Sequence, residues 1–350
     1  MTIRVSVVMP VRDGGPWVRE AVESVLAQDF GAFELIAVDD GSTDDTPAIL
    51  AEAAARDARV RVLQPQGRGL VAALTCAVAA AQGAYLARLD ADDVAAPGRL
   101  GRQLAVMEAR PALGLLGSWA DKIDQSGAPI GRLTPETDPH KLVDLLARTN
   151  PFIHSSLMLR TELVRSLGSY RAAFEAAEDY DLWLRVAEVA EVANLPEALI
   201  RYRWHPGNVT SRKEVRQCFS VRLAQHAAAA RRAGRPDPAA ALASPPDWTD
   251  PACDAAFFAE DARLYRVLAL ADPDTAPAGS TPVDLAPLLS PSTPLSHRER
   301  KLAQRALATL LRRPDLAGGT GAAELLWHAV RLHPARAASL AWRYFTGATA

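Results

Sequence analysis

Val5-Ser6-Val7-Val8-Met9-Pro10 is a short, β-branched, apolar run that a proline ends. This is the pattern of a buried strand. Outward from it, Gly14-Gly15-Pro16 opens a helix with Pro16 in its first turn. Trp17, Val18, Ala21, Val22 and Val25 then recur at helical spacing. Phe33 to Val38 reads as a second strand, Thr43 to Arg56 as a second helix and Val60 to Leu63 as a third strand. Leu70 to Ala81 predicts a third helix and Tyr85 to Leu89 a fourth strand. Such alternation predicts an α/β fold with a mainly parallel sheet and helices on both faces. Ligands of such sheets bind at the carboxyl ends of the strands. Three polar clusters fall at those ends: Pro10 to Asp13, Asp39 to Ser42, and Asp90 to Asp93.

The pattern continues less regularly. Helices are expected at Arg99 to Ala109, Asp138 to Arg148, Thr161 to Ser166 and Asp179 to Ala187, and strands at Gly114 to Trp119 and Ser155 to Leu159. Asn194 to His205 looks extended. After about residue 212, Ala, Arg and Pro dominate. Helices are expected near 213–233, 253–270, 298–313 and 321–345, with loops at 234–251 and 272–296. The expected organisation is a first domain over 1–212 and a helical C-terminal region over 213–350.

The chain has 350 residues, 49% hydrophobic and 23% charged, with a formal net charge of −2. That composition is globular and gives no general case for nucleic-acid binding. The charge is uneven: residues 213–350 hold 17 Lys+Arg against 13 Asp+Glu, while residues 1–212 are net acidic. Cys76, Cys218 and Cys253 are few and scattered, which fits a reducing compartment and no disulfide framework. No apolar leader or membrane-spanning run is visible, so a cytoplasmic protein is expected. The tail from Ser296 to Phe345 is basic and carries Trp327, Trp342, Tyr344 and Phe345. It reads either as a helical cap packed on the first domain or on a second subunit, or as a peripheral contact with the inner face of a membrane, weakened by Pro334.

Leu89-Asp90-Ala91-Asp92-Asp93 packs three carboxylates at a strand end. Such a group repels itself unless a cation sits in it, and hard oxygen ligands suit Mg²⁺ or Mn²⁺ with a substrate phosphate. The alternative is a solvated acidic turn. Val38-Asp39-Asp40-Gly41-Ser42-Thr43-Asp44 offers helix caps, which leave Asp39 and Asp40 unexplained. A carboxylate there can accept a hydrogen bond from a uracil N3–H or from ribose hydroxyls.

Together with Ala87-Arg88-Leu89-Asp90-Ala91-Asp92-Asp93, Asn150-Pro151-Phe152-Ile153-His154-Ser155, Ala177-Glu178-Asp179-Tyr180-Asp181-Leu182-Trp183 and Tyr202-Arg203-Trp204-His205, these motifs resemble family 2 inverting glycosyltransferases of the bacterial cell-surface polysaccharide type. The resemblance covers about residues 3–212. It implies a Rossmann-like GT-A fold and transfer of a sugar from a nucleotide diphosphate sugar, with UDP favoured, to a hydroxyl of a glycan or lipid-linked acceptor. By the same resemblance Pro10, Val11, Arg12, Asp39, Asp40, Arg88 and Asp90 would bind the donor. Asp92 would be the direct ligand of Mn²⁺ or Mg²⁺, with Asp90 and His205 beside it. Asp179 would be the general base, paired with Glu178. His154, Asp181 and Trp183 would lie on the acceptor side, His154 being equally readable as a packed histidine. A helix start should favour ionised Asp179.

Gly67-Arg68-Gly69-Leu70-Val71-Ala72 matches the outline of a dinucleotide fingerprint, with Asp90 at the ribose position. It follows the third strand rather than the first, and a dehydrogenase has no use for Asp92 and Asp93. It therefore reads as a loop over the donor site. The remaining rivals are a sugar-phosphate nucleotidyltransferase, for which Arg12-Asp13-Gly14-Gly15 is a poor triphosphate loop, and an inactive sugar-nucleotide-binding module.

Overall fold

The computed structural model describes residues 2–205, 213–250, 252–253, 256–271, 284–289, 291, 294–313, 316–317 and 320–332. The chain divides into two compact units. The first holds residues 1–212 and 227–237, the second residues 213–226 and 238–350. The expected elements around Pro334 and the aromatic residues Trp342, Tyr344 and Phe345 lie outside the described residues.

The first unit is built on a nine-stranded sheet in the order β3-β2-β1-β4-β8-β6-β9-β5, with β7 paired to β6. Its strands are β1 (Val5–Val11), β2 (Phe33–Asp39), β3 (Val60–Leu63), β4 (Tyr85–Arg88), β5 (Val94–Ala95), β6 (Leu113–Ile123), β7 (Pro129–Leu133), β8 (Met158–Arg160) and β9 (Glu191–Arg203). β1, β2, β3 and β4 pair in parallel, as expected from the strand–helix alternation. β1 and β2 are buried along their whole length, the signature of strands covered on both faces. The other half of the sheet is mixed. β8 runs antiparallel to β4 and β6, β6 and β9 are parallel, and β5 is antiparallel to β9.

Helices α1 (Val18–Leu26), α2 (Thr46–Arg56), α3 (Leu70–Ala80) and α4 (Arg99–Ala109) fall where the sequence periodicity places them. Val18, Ala21, Val22 and Val25 of α1 are buried, and they join Val5, Val7 and Met9 of β1 in the core. α5 (Pro139–Leu146) begins at Asp138, whose carboxylate caps the N–H groups of His140 and Lys141. α6 (Thr161–Ser166) and α7 (Glu178–Ala187) follow. The expected strand from Ser155 is displaced: His154–Ser156 is a single 3₁₀ turn, and the strand starts at Met158.

The second unit contains the first turns of α8 (Glu214–Arg232), then α9 (Ala259–Leu268), α10 (Ala286–Leu289), α11 (His297–Arg312) and α12 (Ala322–Leu332). Ser296 and Glu299 form a reciprocal capping box at the start of α11. Inside this unit Arg222 pairs with Glu299 and Asp261, and the Tyr265 hydroxyl donates to Glu299 at 2.6 Å. Among the described residues no helix is long and apolar enough to cross a membrane.

One ion cluster fixes α7 in the first unit. Asp181 is wholly buried, and its carboxylate pairs with Arg171 and with Arg185 one turn on. Arg185 also donates to the carbonyls of Leu167 and Ser169, and Arg171 reaches Asp237 at 2.8 Å. Removing one member of a buried ion network leaves the others uncompensated. Asp181→Asn is therefore expected to lower the unfolding free energy of the chain by about 3–5 kcal/mol, read by urea denaturation. A loss below about 1 kcal/mol would mean that the arginines find other partners, a cost nearer that of an exposed pair.

Candidate active site

The site forms where β1, β2 and β4 end. Asp39 closes β2 and accepts the Ser42 N–H at 2.9 Å. The Asp40 N–H donates to the Val11 carbonyl, which ties the two strand ends together. Both Asp40 oxygens accept the Gly69 N–H at 2.9 Å. The Gly67-Arg68-Gly69 loop is thus held against the end of β2 by its backbone. Arg68 lies across Gly41 and donates to the Asp40 carbonyl at 2.9 Å. Gly41 has φ +74°, where any side chain is strained, and a Cβ there would fall 1.5 Å from the Arg68 guanidinium, so glycine lets Arg68 lie across the turn. Pro10 and Val11 are buried in β1, while Arg12 is exposed beside Asp13.

β4 delivers the acidic cluster. Asp90, Asp92 and Asp93 each bring a carboxylate oxygen within 4.8 Å of the others. Their surroundings differ. Asp90 accepts from Arg88 Nη2 at 2.5 Å and from Ser155 Oγ at 2.6 Å. Desolvation opposes its ionisation, but Arg88, His154 and the Ser155 hydroxyl together outweigh that and hold its carboxyl below the usual range. Asp93 is buried; its Oδ1 accepts the Arg203 N–H at 2.7 Å, and its Oδ2 has no hydrogen-bond partner. Burial and then Asp92 and Asp90 push its carboxyl well up. Asp92 is the more open of the two raised groups, with a quarter of its side chain exposed and Oδ2 at 2.9 Å from His205 Nε2. Burial and the neighbouring Asp90 raise it. Clustered hard oxygens with one orphaned buried lone-pair site fit a divalent cation such as Mg²⁺ or Mn²⁺.

His205 reaches Asp92 because of strand register. Val94 of β5 pairs with Arg201 of β9, so the residues just before Val94 face those just after Arg201. Arg203 Nε donates to the Asp92 carbonyl at 2.8 Å along the same seam. Trp17 stacks on His205 with ring centroids 4.6 Å apart.

Arg88, expected on the donor side, is placed inside the protein. It is 1% exposed, is engaged with Asp90, and has Nε and Nη1 without hydrogen-bond partners. Its charge acts on Asp90, and also on His154, Glu178 and Asp179. Its charge thus reaches both the acidic cluster and the start of α7. Arg99 from α4 is buried as well and donates to the Arg88 carbonyl at 2.7 Å. Burial pushes the Arg99 guanidinium down to about 9.

At the start of α7, Glu178 is buried and Asp179 is partly exposed. Burial, with Asp179 adjacent, pushes the Glu178 carboxyl up to about 8. Asp179 is also raised, by burial, against the lowering effect of the Tyr180 N–H at 2.6 Å and the Asn150 amide at 2.8 Å. The helix start is thus not the only influence on it: desolvation acts in the opposite direction. With the Glu178 carboxyl pushed up to about 8, the adjacent pair does not carry two full charges at neutral pH.

Of the three residues expected on the acceptor side, Asp181 and Trp183 are internal and His154 is partly exposed. Asp181 is the buried partner of Arg171 and Arg185 described above, with no oxygen facing an acceptor. Trp183 is fully buried. His154 lies 3.2 Å from the Tyr170 hydroxyl and 5.6 Å from the Trp183 ring, edge to face. Burial and then Arg88 push its imidazole well below its usual value, so it is neutral. Sequence reasoning passed over Ser155, Arg203 and Asn150, each of which contacts a carboxylate of the site. Asn150 and Ser155 stand in a motif from which only His154 was singled out.

Comparison with known proteins agrees with this geometry. The model of the family described as Glycosyl transferase family 2 matches residues 6–167. The putative glycosyltransferase EpsE of Bacillus subtilis is 34% identical over 205 residues, covering 57% of this chain and 73% of that protein. The O-antigen biosynthesis protein RfbC of Myxococcus xanthus is 34% identical over 203 residues, covering 57% of this chain but 16% of RfbC. Among solved structures, S. aureus TarS 1-349 in complex with UDP-GlcNAc aligns with a TM-score of 0.56 at 15% identity, over 96% of this chain and 92% of that one. A mannosyltransferase from Pyrobaculum calidifontis, in complex with GDP-Man and Mn²⁺, aligns with a TM-score of 0.50 at 19% identity, over 95% of this chain and 87% of that one. Parallel strands that end in an acidic cluster, and a relative matched over most of its length, make this chain a member of glycosyltransferase family 2 with a GT-A fold.

Proposed function

We propose that the chain is a metal-dependent, inverting glycosyltransferase that moves a sugar from a nucleotide diphosphate sugar to a hydroxyl of a glycan or lipid-linked acceptor. The observation that carries this reading is the pairing of two half-open carboxylates. Asp92 stands in a cation-fitting cluster, and Asp179 stands at the start of α7 with the charge of Arg88 acting on it. The neighbours' complexes with UDP, UDP-GlcNAc and GDP-Man support a nucleotide-sugar donor. UDP is favoured because Asp39 and Asp40 at the end of β2 suit a uracil and its ribose. The likeness to RfbC supports a polysaccharide of the cell surface.

In this reading residues 1–212 form the catalytic domain. Pro10, Val11, Arg12, Asp39 and Asp40 line the donor site. Asp92, with Asp90, Asp93 and His205, would hold Mn²⁺ or Mg²⁺. Such an ion supplies Lewis-acid stabilisation of the charge that grows on the leaving diphosphate. The acceptor hydroxyl is a weak nucleophile and needs a positioned base. Asp179 takes its proton as the hydroxyl oxygen bonds to the anomeric carbon. The bond from that carbon to the diphosphate oxygen breaks, and the nucleoside diphosphate leaves with the electron pair. One displacement with no covalent nucleophile inverts the anomeric configuration. Glu178, protonated near neutral pH, adds no second charge against the base. Residues 213–350 have a basic, aromatic end, where Trp327 of α12 is 55% exposed. That end suits an acceptor carried on an anionic membrane surface.

The test is a screen of nucleotide sugars for metal-dependent release of a nucleoside diphosphate, followed by the Asp179→Asn variant on the active donor. Turnover should fall by about 10²–10⁴-fold, the usual share of a general base, while donor affinity by calorimetry stays within about twofold. Pyrophosphate release would instead mark a nucleotidyltransferase. Turnover of the variant above about a tenth of the original would place the base elsewhere.

A further inference from the structure

Asn150 touches the side chain on which the proposed chemistry turns. Its Nδ2 donates to Asp179 Oδ2 at 2.8 Å. The Phe152 N–H donates to Asn150 Oδ1 at 3.1 Å. That second bond fixes the amide orientation: the oxygen meets a donor, so the NH₂ end is the one turned toward the carboxylate.

The segment that carries Asn150 is held from both sides. Asn194 of β9 is buried, and its Nδ2 donates to the Glu136 carbonyl at 2.9 Å and to the Pro151 carbonyl at 3.3 Å. Gly117 of β6 makes room for this arrangement. A Cβ there would lie 2.1 Å from Asn194 Oδ1 and 3.2 Å from the Phe152 ring. On the other side, the Tyr180 hydroxyl donates to the Leu146 carbonyl at 2.8 Å, which ties the end of α5 to α7. Asn150 therefore meets Asp179 in a built geometry rather than through a mobile surface contact.

We propose that Asn150 is the positioning residue of the general base: its amide holds one Asp179 oxygen in place and favours the charged carboxylate that must accept the acceptor's proton. This rests on the reading of Asp179 as base given above. Asp179 Oδ1 is held by the Tyr180 N–H and Oδ2 by Asn150. The two donors meet different oxygens of the carboxylate, so together they fix its orientation. The other groups that face Asp179 are Glu178 on the same helix, Arg88 at the end of β4, and Tyr170, which His154 touches. Arg88 favours the charged form, while burial opposes it. Asn150 adds a neutral donor that favours the charge and brings no charge of its own.

The direction of the effect follows from which form the amide binds. A donor to the ionised carboxylate lowers its pKa, so losing the donor raises it, and a like charge in its place raises it further. The experiment is a pH titration of the metal-free full chain by carboxyl ¹³C NMR with labelled aspartate. The Asp179 resonance is assigned by its loss in Asp179→Asn. Relative to the unsubstituted chain, the midpoint should rise by about 0.5 pH unit in Asn150→Ala and by about 1 pH unit or more in Asn150→Asp. The acid limb of turnover on the screened donor should move up with it, with donor affinity within about twofold. Asn150→Ala reads the effect alone if Asn150→Asp does not fold. An unmoved midpoint, or a loss of turnover with an unmoved pH profile, would mark a merely structural asparagine and overturn the proposal. An active Asp179→Asn would remove the base reading and this proposal with it. That failure differs from one in which Asp179→Asn is inactive but the midpoint ignores Asn150.

Discussion

The buried pairing of Arg88 with Asp90 is the constraint on which the site depends. Leu89 stays in the ladder through its N–H to the Val8 carbonyl, and the chain then turns, with the Asp93 N–H on the Asp90 carbonyl. That turn gathers three carboxylates within 4.8 Å of one another. Their mutual repulsion in a partly desolvated corner would be prohibitive without an internal cation. Arg88 supplies one, and Arg99 holds the Arg88 carbonyl beneath it. The arginine pairs with Asp90 and leaves Asp92 and Asp93 under-compensated: burial and then Asp90 raise Asp92, and burial and then Asp92 and Asp90 raise Asp93. A site that is one cation short is prepared for a cation from outside.

In the proposed reaction the same guanidinium serves two groups: its charge acts on Asp90 of the acidic cluster and on the pair Glu178 and Asp179. Leaving-group stabilisation and proton removal demand opposite things of a carboxylate. The first needs anionic ligands under strong positive influence; the second needs a charged oxygen with a free lone pair near the working pH. Burial tunes the second group upward, and two neutral donors, Tyr180 N–H and the Asn150 amide, restrain it. The buried Asp181 cluster with Arg171 and Arg185 anchors the helix that carries Glu178 and Asp179.

Much of this was legible in the sequence, and the reasons are physical. β1 and β2 are long, apolar and buried on both faces, so their composition alone marks them as central parallel strands. The helices between them carry a 3.6-residue pattern because one face meets the sheet. The antiparallel half was harder to read. β5 is two residues long and β8 three, too short for any periodicity, and β7 is almost wholly exposed. His205 meets Asp92 only through the β5–β9 register, a pairing across more than a hundred residues that no local signal announces. Asp181 and Trp183 share a motif with Asp179 yet are wholly buried: Asp181, two positions on, lies on the opposite side of the helix, and Trp183, one turn on, is covered where Asp179 is partly open. Arg88 illustrates the same limit: its place before the aspartates was plain, and its burial was not.

The central claim is that Asp92 belongs to the cation and Asp179 to the acceptor. Electron paramagnetic resonance of free Mn²⁺, titrated against the protein with UDP present, tests that division directly. The account predicts that the unsubstituted chain and Asp179→Asn bind Mn²⁺ alike, while Asp92→Asn weakens it by at least about 10²-fold, the loss of one hard anionic ligand from a site with few of them. Equal Mn²⁺ affinity in Asp92→Asn and the unsubstituted chain, or a comparable loss in Asp179→Asn, would contradict it.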